Sequence, residues 1–146
     1  MADDLTQREA DELLAMPKRR LTDMKHTAMG GQGIMIALAS MNRREAFDLG
    51  IWKSQAILYK GSYRMKGRSV VILARIDFGG PPHRNPDGVD VPCPHLHLYR
   101  EGYGDKIATA LPADRFKNPA DIWLLLDEFM DYCNIIEKPE FERVLF

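Results

Sequence analysis

The sequence predicts an α+β protein, an antiparallel β-meander of about five or six strands with an N-terminal and a C-terminal helix packed on it. Three observations predict it. Residues 34–111 alternate apolar and polar side chains in short runs broken by Gly-containing turns. Ahead of them, Thr6-Gln-Arg-Glu9 has the form of a helix capping box. After them, Ile122, Leu125, Leu126, Phe129 and Cys133 recur at helical spacing.

In the first element the Thr6 hydroxyl can accept from the backbone N–H three residues on while Glu9 reaches back, and Leu5 and Ala10 stand where a hydrophobic staple would. The helix is expected from about Gln7 to Met16, where Pro17 stops it by excluding helical dihedrals from the residue before it. The stretch PKRRLTDMKH, with Lys18, Arg19, Arg20, Lys25 and His26, reads as a solvated connector or a short further turn of helix. Residues 1–33 are therefore expected to be a helical segment and linker.

The meander follows. IMIALASM reads as a buried strand and NRRE as a polar turn, and AFDLGIWKS sets Phe47, Leu49 and Ile51 against Asp48 and Gly50. A second hairpin pairs AILYKGSYRM with SVVILARIDF through a turn at Lys66-Gly67-Arg68. GGPPHRNPDGVDVPCP, with two glycines at its head and five prolines, reads as a long irregular loop, a kind that is uncommon and often functional. HLHLYR and KIATALP form a third hairpin around EGYGD, where Gly102 and Gly104 supply positive φ. The last helix is expected over 118–134, with Asn118 as N-cap, Pro119 at its first position and Asp121 in its first turn. EKPEFERVLF fits a short strand or a turn of helix equally well.

At 146 residues, 45% hydrophobic and 28% charged, the chain has the size and composition of one globular domain, 1–146. A net charge of -1 and a pI near 6.4 give no global attraction for nucleic acid or membrane, so polyanion binding would need a local patch. Cys93 and Cys133 lie far apart and neither belongs to a CxxC pair, which excludes a disulfide scaffold or zinc finger and suits a reducing cytoplasm. The acidic start lacks a signal-peptide pattern, and no window approaches the apolar length of a membrane span.

The chemistry concentrates in PCPHLHLYREGYGDK. Alternation along a strand turns Leu96 and Leu98 to the core and His95, His97 and Tyr99 to the other face, into which the loop bearing His83 leads. Cys93 shares that parity. Four readings compete. His95-x-His97-x-x-x-Glu101 resembles the first motif of cupin metal sites, which implies a 2-His-1-carboxylate site for Fe(II) or a similar ion. Against the cupin pattern, Val89 stands where a Gly belongs and the second His motif is missing. HLHLY is similar to the histidine triad with Tyr99 in place of the third His, and by that resemblance His97 would be the nucleophile.

The third reading is metal-free RNA cleavage. His95, His97 and Tyr99 would supply the acid and base, and Lys60, Arg64, Lys66 and Arg68 of the preceding hairpin, with Arg75, would hold phosphate among the interleaved Tyr59 and Tyr63. The fourth is that the histidines only stabilise a strand in a protein that acts by binding.

Pro94 to Leu111 also resembles small uncharacterised bacterial and phage-associated proteins that carry Pro-His-x-His, a hydrophobic or aromatic residue, a Gly/acidic turn and a second strand, some of them in toxin–antitoxin-like gene pairs. The resemblance implies a mobile-element or defence-related role and carries over His95, His97 and Tyr99 as candidates.

The leading expectation is therefore a cytoplasmic protein acting on nucleic acid, a metal-independent endoribonuclease-like toxin using His95-x-His97-x-Tyr99. The second is a non-enzymatic binding or inhibitor protein acting through a protein interface. The third is a metal-binding protein using His95, His97 and Glu101. RNA or a protein, a second copy of the chain included, is the expected partner; no membrane and no cofactor is expected.

Overall fold

Thr6 caps α1 (Gln7–Ala15) as its sequence requires: its hydroxyl accepts from Glu9 N while the Glu9 carboxylate accepts from Thr6 N, and Leu5 and Ala10 are both buried. The computed structural model describes residues 5–27 and 30–143; the acidic first residues, 28–29 of the connector and the last three residues of the tail lie outside these. After α1 come β1 (Lys18–Arg20), β2 (Lys25–Thr27), β3 (Ile34–Ser40), β4 (Ala46–Lys53), β5 (Gly61–Gly67) and β6 (Val71–Phe78). Then follow β7 (His83–Arg84), β8 (Asp90–Val91), β9 (His95–Leu98), β10 (Ala108–Ala110), α2 (Ile122–Tyr132), β11 (Ile135–Glu137) and β12 (Glu140–Glu142).

The protein is α+β, and its main sheet is larger than the five or six strands expected: eight strands in the order β10-β9-β6-β5-β4-β3-β1-β11. All neighbours are antiparallel except β1 and β11, and β7/β8 and β2/β12 form two separate pairs. No helix among the described residues is long and apolar enough to cross a membrane.

Four expectations are corrected. The connector after Pro17 holds β1 and β2, because Lys18 turns inward and the backbone from Lys18 to Arg20 pairs with β3 and β11. The strand expected from Ala56 begins at Gly61, because Ser54 Oγ accepts from Ala56 N and Ile57 N and folds that stretch into a turn. The turn expected at Lys66-Gly67-Arg68 is displaced, with Lys66 and Gly67 still in β5 and positive φ at Arg68 and Ser69. Asn118 is not the N-cap of α2: Asp121 is, its carboxylate accepting from Trp123 N and Leu124 N, so the helix runs over Ile122–Tyr132 rather than 118–134. In the described part of the tail Glu137 ends β11 and Glu140–Glu142 form β12, a short strand rather than a turn of helix.

Both helices supply residues to one buried cluster with the inner face of the sheet, in which Leu13, Leu49, Tyr63, Ile76, Leu96, Leu126 and Phe129 all take part. Tyr63 closes the α2 contact, its ring against Phe78 and its hydroxyl donating to Ile122 O at 2.7 Å. The opposite face carries the polar residues. Strand pairing lines them up in two rows, Gly50–Arg64–Arg75–His97 and Trp52–Ser62–Asp77–His95.

Candidate functional site

The two rows meet at a cluster whose centre is Asp77. Register decides this: β6 and β9 set Arg75 against His97 and Asp77 against His95, so the four side chains share the outer face. Asp77 Oδ2 lies 3.4 Å from His95 Nε2 and 3.3 Å from His97 Nε2. Each ring is held from behind by a backbone carbonyl, His97 Nδ1 at 2.8 Å from Asp105 O and His95 Nδ1 at 3.2 Å from Val91 O. Those contacts place the ring N–H on Nδ1 and turn Nε2 toward the carboxylate.

Arg75 completes the cluster. Its Nε donates to Asp77 Oδ1 at 3.0 Å, and one terminal nitrogen lies 3.1 Å from both Asp77 Oδ2 and His97 Nε2. The other donates to Asp105. Burial by itself would raise the Asp77 carboxyl; contact with His97 and the Arg75 guanidinium outweigh it and hold that carboxyl well below the usual carboxylate range.

The segment read as an irregular loop supplies the lid. Its short hairpin, β7 and β8, is closed by an Arg84–Asp90 pair and docked on β10 by Asn85, whose amide gives to Ala108 O and accepts from Ala108 N. His83 on β7 donates from Nε2 to Lys106 O and packs its ring 4.6 Å from that of His97. Beneath this cover His95 is 2% exposed and His97 is 0%. Facing away from the core thus did not bring the two histidines to solvent.

Beside the lid runs a groove of about 390 Å³. Asp77 and His95 line it with Cys93 and His83 of the covering segment, and Trp52, Lys60, Ser62, Arg64 and Arg75 are also part of its wall. Lys60 and Arg64 make no ion pair or side-chain hydrogen bond among the described residues. Trp52 is part-exposed at 37%. Arg64 and Trp52 also border a second hollow with Gly33, Ile34, Met35, Gly50 and Ile51. The Cys93 thiol stands 3.6 Å from His95 Nδ1, and burial raises its pKa despite a hydrogen bond from the Gly80 backbone.

The other expected site residues lie elsewhere. Tyr99 does not share the histidine face: β9 ends at Leu98, and Tyr99 turns into the core, its hydroxyl donating to Leu5 O at 2.7 Å. Glu101 does not complete the histidine pair, because its carboxylate accepts from Gln7 N at the start of α1 while Gln7 Oε1 accepts from Glu101 N. The carboxylate beside the two histidines is Asp77. Among the described residues, Asp77, His95 and His97 are the group whose ligand atoms could hold a metal ion, all within 4.8 Å of one another. Lys66 lies one row beyond Arg64, past a bulge in β5/β6. Arg68, at the turn, is committed to Glu9 and Glu45. Of the basic stripe expected on this hairpin, Lys60 and Arg64 therefore reach the groove.

A family model, described as a family of unknown function, DUF6978, matches residues 5–135 and so takes in α1, the meander, the lid and α2. No curated protein and no solved structure matches the chain.

Proposed function

As the chain belongs to this family of unknown function, we propose its activity from the site: it acts on single-stranded nucleic acid, RNA foremost, laid along the outer face of the sheet. One observation carries the reading, the position of two uncompensated cations, Lys60 and Arg64, and the part-exposed Trp52 in the same groove as Asp77 and His95. Unpaired cations track a phosphate backbone and an exposed indole stacks on a base whatever its identity. Asp77, His95 and Arg75 are the groups that would act on the phosphodiester at the covered end of the groove, with Arg75 supplying charge to the transition state. Tyr99 has no part in it.

The test is binding and cleavage of labelled single-stranded RNA. Lys60→Ala/Arg64→Ala should weaken binding at least about tenfold and flatten its salt dependence, each lost phosphate contact removing about 0.7 from the logarithmic slope. His95→Ala should bind normally and lose cleavage, and with it the growth inhibition on expression that a mobile-element or defence role entails. Wild-type protein that neither binds nor cuts RNA would overturn the proposal. A binding role without turnover is the second reading, favoured by the complete burial of His97; it expects RNA to be retained uncut.

A further inference from the structure

We infer that Asp77, His95 and His97 form a binding site for a divalent transition-metal ion of the zinc or ferrous class. The inference stands on the geometry of the three side chains and does not require the RNA reading.

With Nδ1–H of each ring given to a backbone carbonyl, both Nε2 atoms are aimed at Asp77 Oδ2 and are the nitrogens free to bind an ion in place of a proton. The positive charge that now offsets the carboxylate comes from the Arg75 guanidinium and from the contact with His97, and a metal ion would take that place. The arrangement of the rings is the one metal-bound histidines adopt, the distal nitrogen anchored and the proximal one aimed. Bonds of about 2.0–2.2 Å at tetrahedral angles separate ligand atoms by roughly 3.3–3.5 Å; the two edges at Asp77 Oδ2 measure 3.3 and 3.4 Å, and the three ligand atoms lie within 4.8 Å of one another, so an ion would draw the two imidazoles closer together. Two imidazoles and one carboxylate select zinc, iron, cobalt or nickel over magnesium and calcium, which want oxygen.

Arg75 is the competing cation, since one of its nitrogens now sits 3.1 Å from Asp77 Oδ2 and from His97 Nε2. It has another place to go. Asp105 already accepts from Arg75, and Asp77 Oδ1 takes the Arg75 Nε at 3.0 Å, so the guanidinium can cede Oδ2 and the ring while keeping both carboxylates. Asp77 and Asp105 together carry one more negative charge than Arg75 offsets, and the unpaired Lys60 and Arg64 lie farther along the same groove wall, outside the contacts of this cluster. Because His95 and Asp77 line the groove, an ion held by them would keep a coordination position toward it. Such an ion would replace the unassisted imidazole chemistry expected from the sequence.

The test uses the full chain, stripped with chelator and titrated with zinc and with cobalt(II) in the absence of nucleic acid. One equivalent should bind per chain, with the cobalt complex showing the visible d–d bands of a low-coordinate site. Affinity should fall at least tenfold in His95→Gln and in Asp77→Asn, and stay unchanged in Glu101→Gln and Cys93→Ser. No saturable uptake by wild type, uptake that survives His95→Gln, or uptake lost in Glu101→Gln or Cys93→Ser would each overturn the assignment. Should the ligand variants fail to fold, X-ray absorption of the wild-type complex decides: two imidazoles support the site, and a shell without imidazole overturns it. Lys60 and Arg64 lie outside the ligand set, so failure of metal binding leaves their effect on RNA intact, and the two proposals fail separately.

Discussion

Gly50 and Arg64 are paired across β4 and β5, and the Arg64 side chain lies where a side chain at 50 would be: a Cβ there would come within 2.8 Å of Arg64 Cγ and 3.2 Å of its Cδ. Glycine in the middle of a central strand costs stability, so a reason for it is expected, and here the reason is room for the arginine to lie along the sheet. Gly50→Val should therefore push Arg64 out of its bed while leaving the fold within about 1 kcal/mol, since the valine's strand preference offsets the crowding. RNA binding should weaken about three- to tenfold, as in Arg64→Ala. A titration in which Gly50→Val binds RNA like wild type would separate Arg64's placement from any role in binding.

Asp77 ties stability to acid. Its folded carboxyl lies below its unfolded value, so the stability it contributes is fully present above the ordinary carboxylate range and is lost as pH falls through that range toward the folded value. The unfolded chain takes up the proton first, and acid drains the folded state. Asp77→Asn should cost about 3 kcal/mol at neutral pH by leaving Arg75 half-paired. Its urea midpoint should then fall less steeply than wild type's on acidification below about pH 4. Parallel slopes in the two proteins would assign the acid sensitivity to another group.

Tyr99 tests the reassignment of the motif. Its buried hydroxyl holds Leu5 O, just before the capping box of α1. Tyr99→Phe should lower stability by about 1 kcal/mol and leave RNA binding, cleavage and metal uptake unaltered. A large loss of cleavage with stability intact would return Tyr99 to the site.

What could be read from the sequence was local. The capping box of α1, the alternation of β3 to β6, the β9/β10 hairpin and the inward turn of Leu96 follow from periods and turn residues within a few positions of each other. The same logic sets His95 and His97 on one face, where they lie. It does not find their carboxylate, because seven-residue proximity favours Glu101 while strand register brings Asp77 there from a neighbouring strand. A signal did exist: Arg75 and Asp77 are the charged pair in the otherwise apolar run VVILARIDF, two apart and so on one face. Tyr99 failed because parity holds only while the strand lasts, and β9 ends one residue earlier. Asn118 lost the cap to Asp121 for a related reason: either side chain suits an N-cap, and sequence does not say which residue the backbone presents to the helix end.

Lys18 shows the same limit with the largest expected effect on stability. In a ten-residue stretch that holds five basic residues it reads as a solvated charge, yet it is 0% exposed and its ammonium donates to Leu14 O, Met16 O and Cys133 O at 2.7 to 2.9 Å over the face of Phe47. Leu14 lies in the last turn of α1, Met16 is its C-cap and Cys133 is the C-cap of α2, so one side chain satisfies carbonyls that both helices leave without a partner. The three bonds also sit at the negative ends of two helix dipoles, where a cation is favoured. Lys18→Met keeps the packing volume but strands those carbonyls away from water, which costs about 1–3 kcal/mol for each group left unsatisfied, less what relaxation recovers. A loss of about 3 kcal/mol or more in urea unfolding is expected, with α1 losing amide protection before the central strands β4, β5 and β6. A variant as stable as wild type would mean that these carbonyls find water, and that the ends of the two helices are not joined through this lysine.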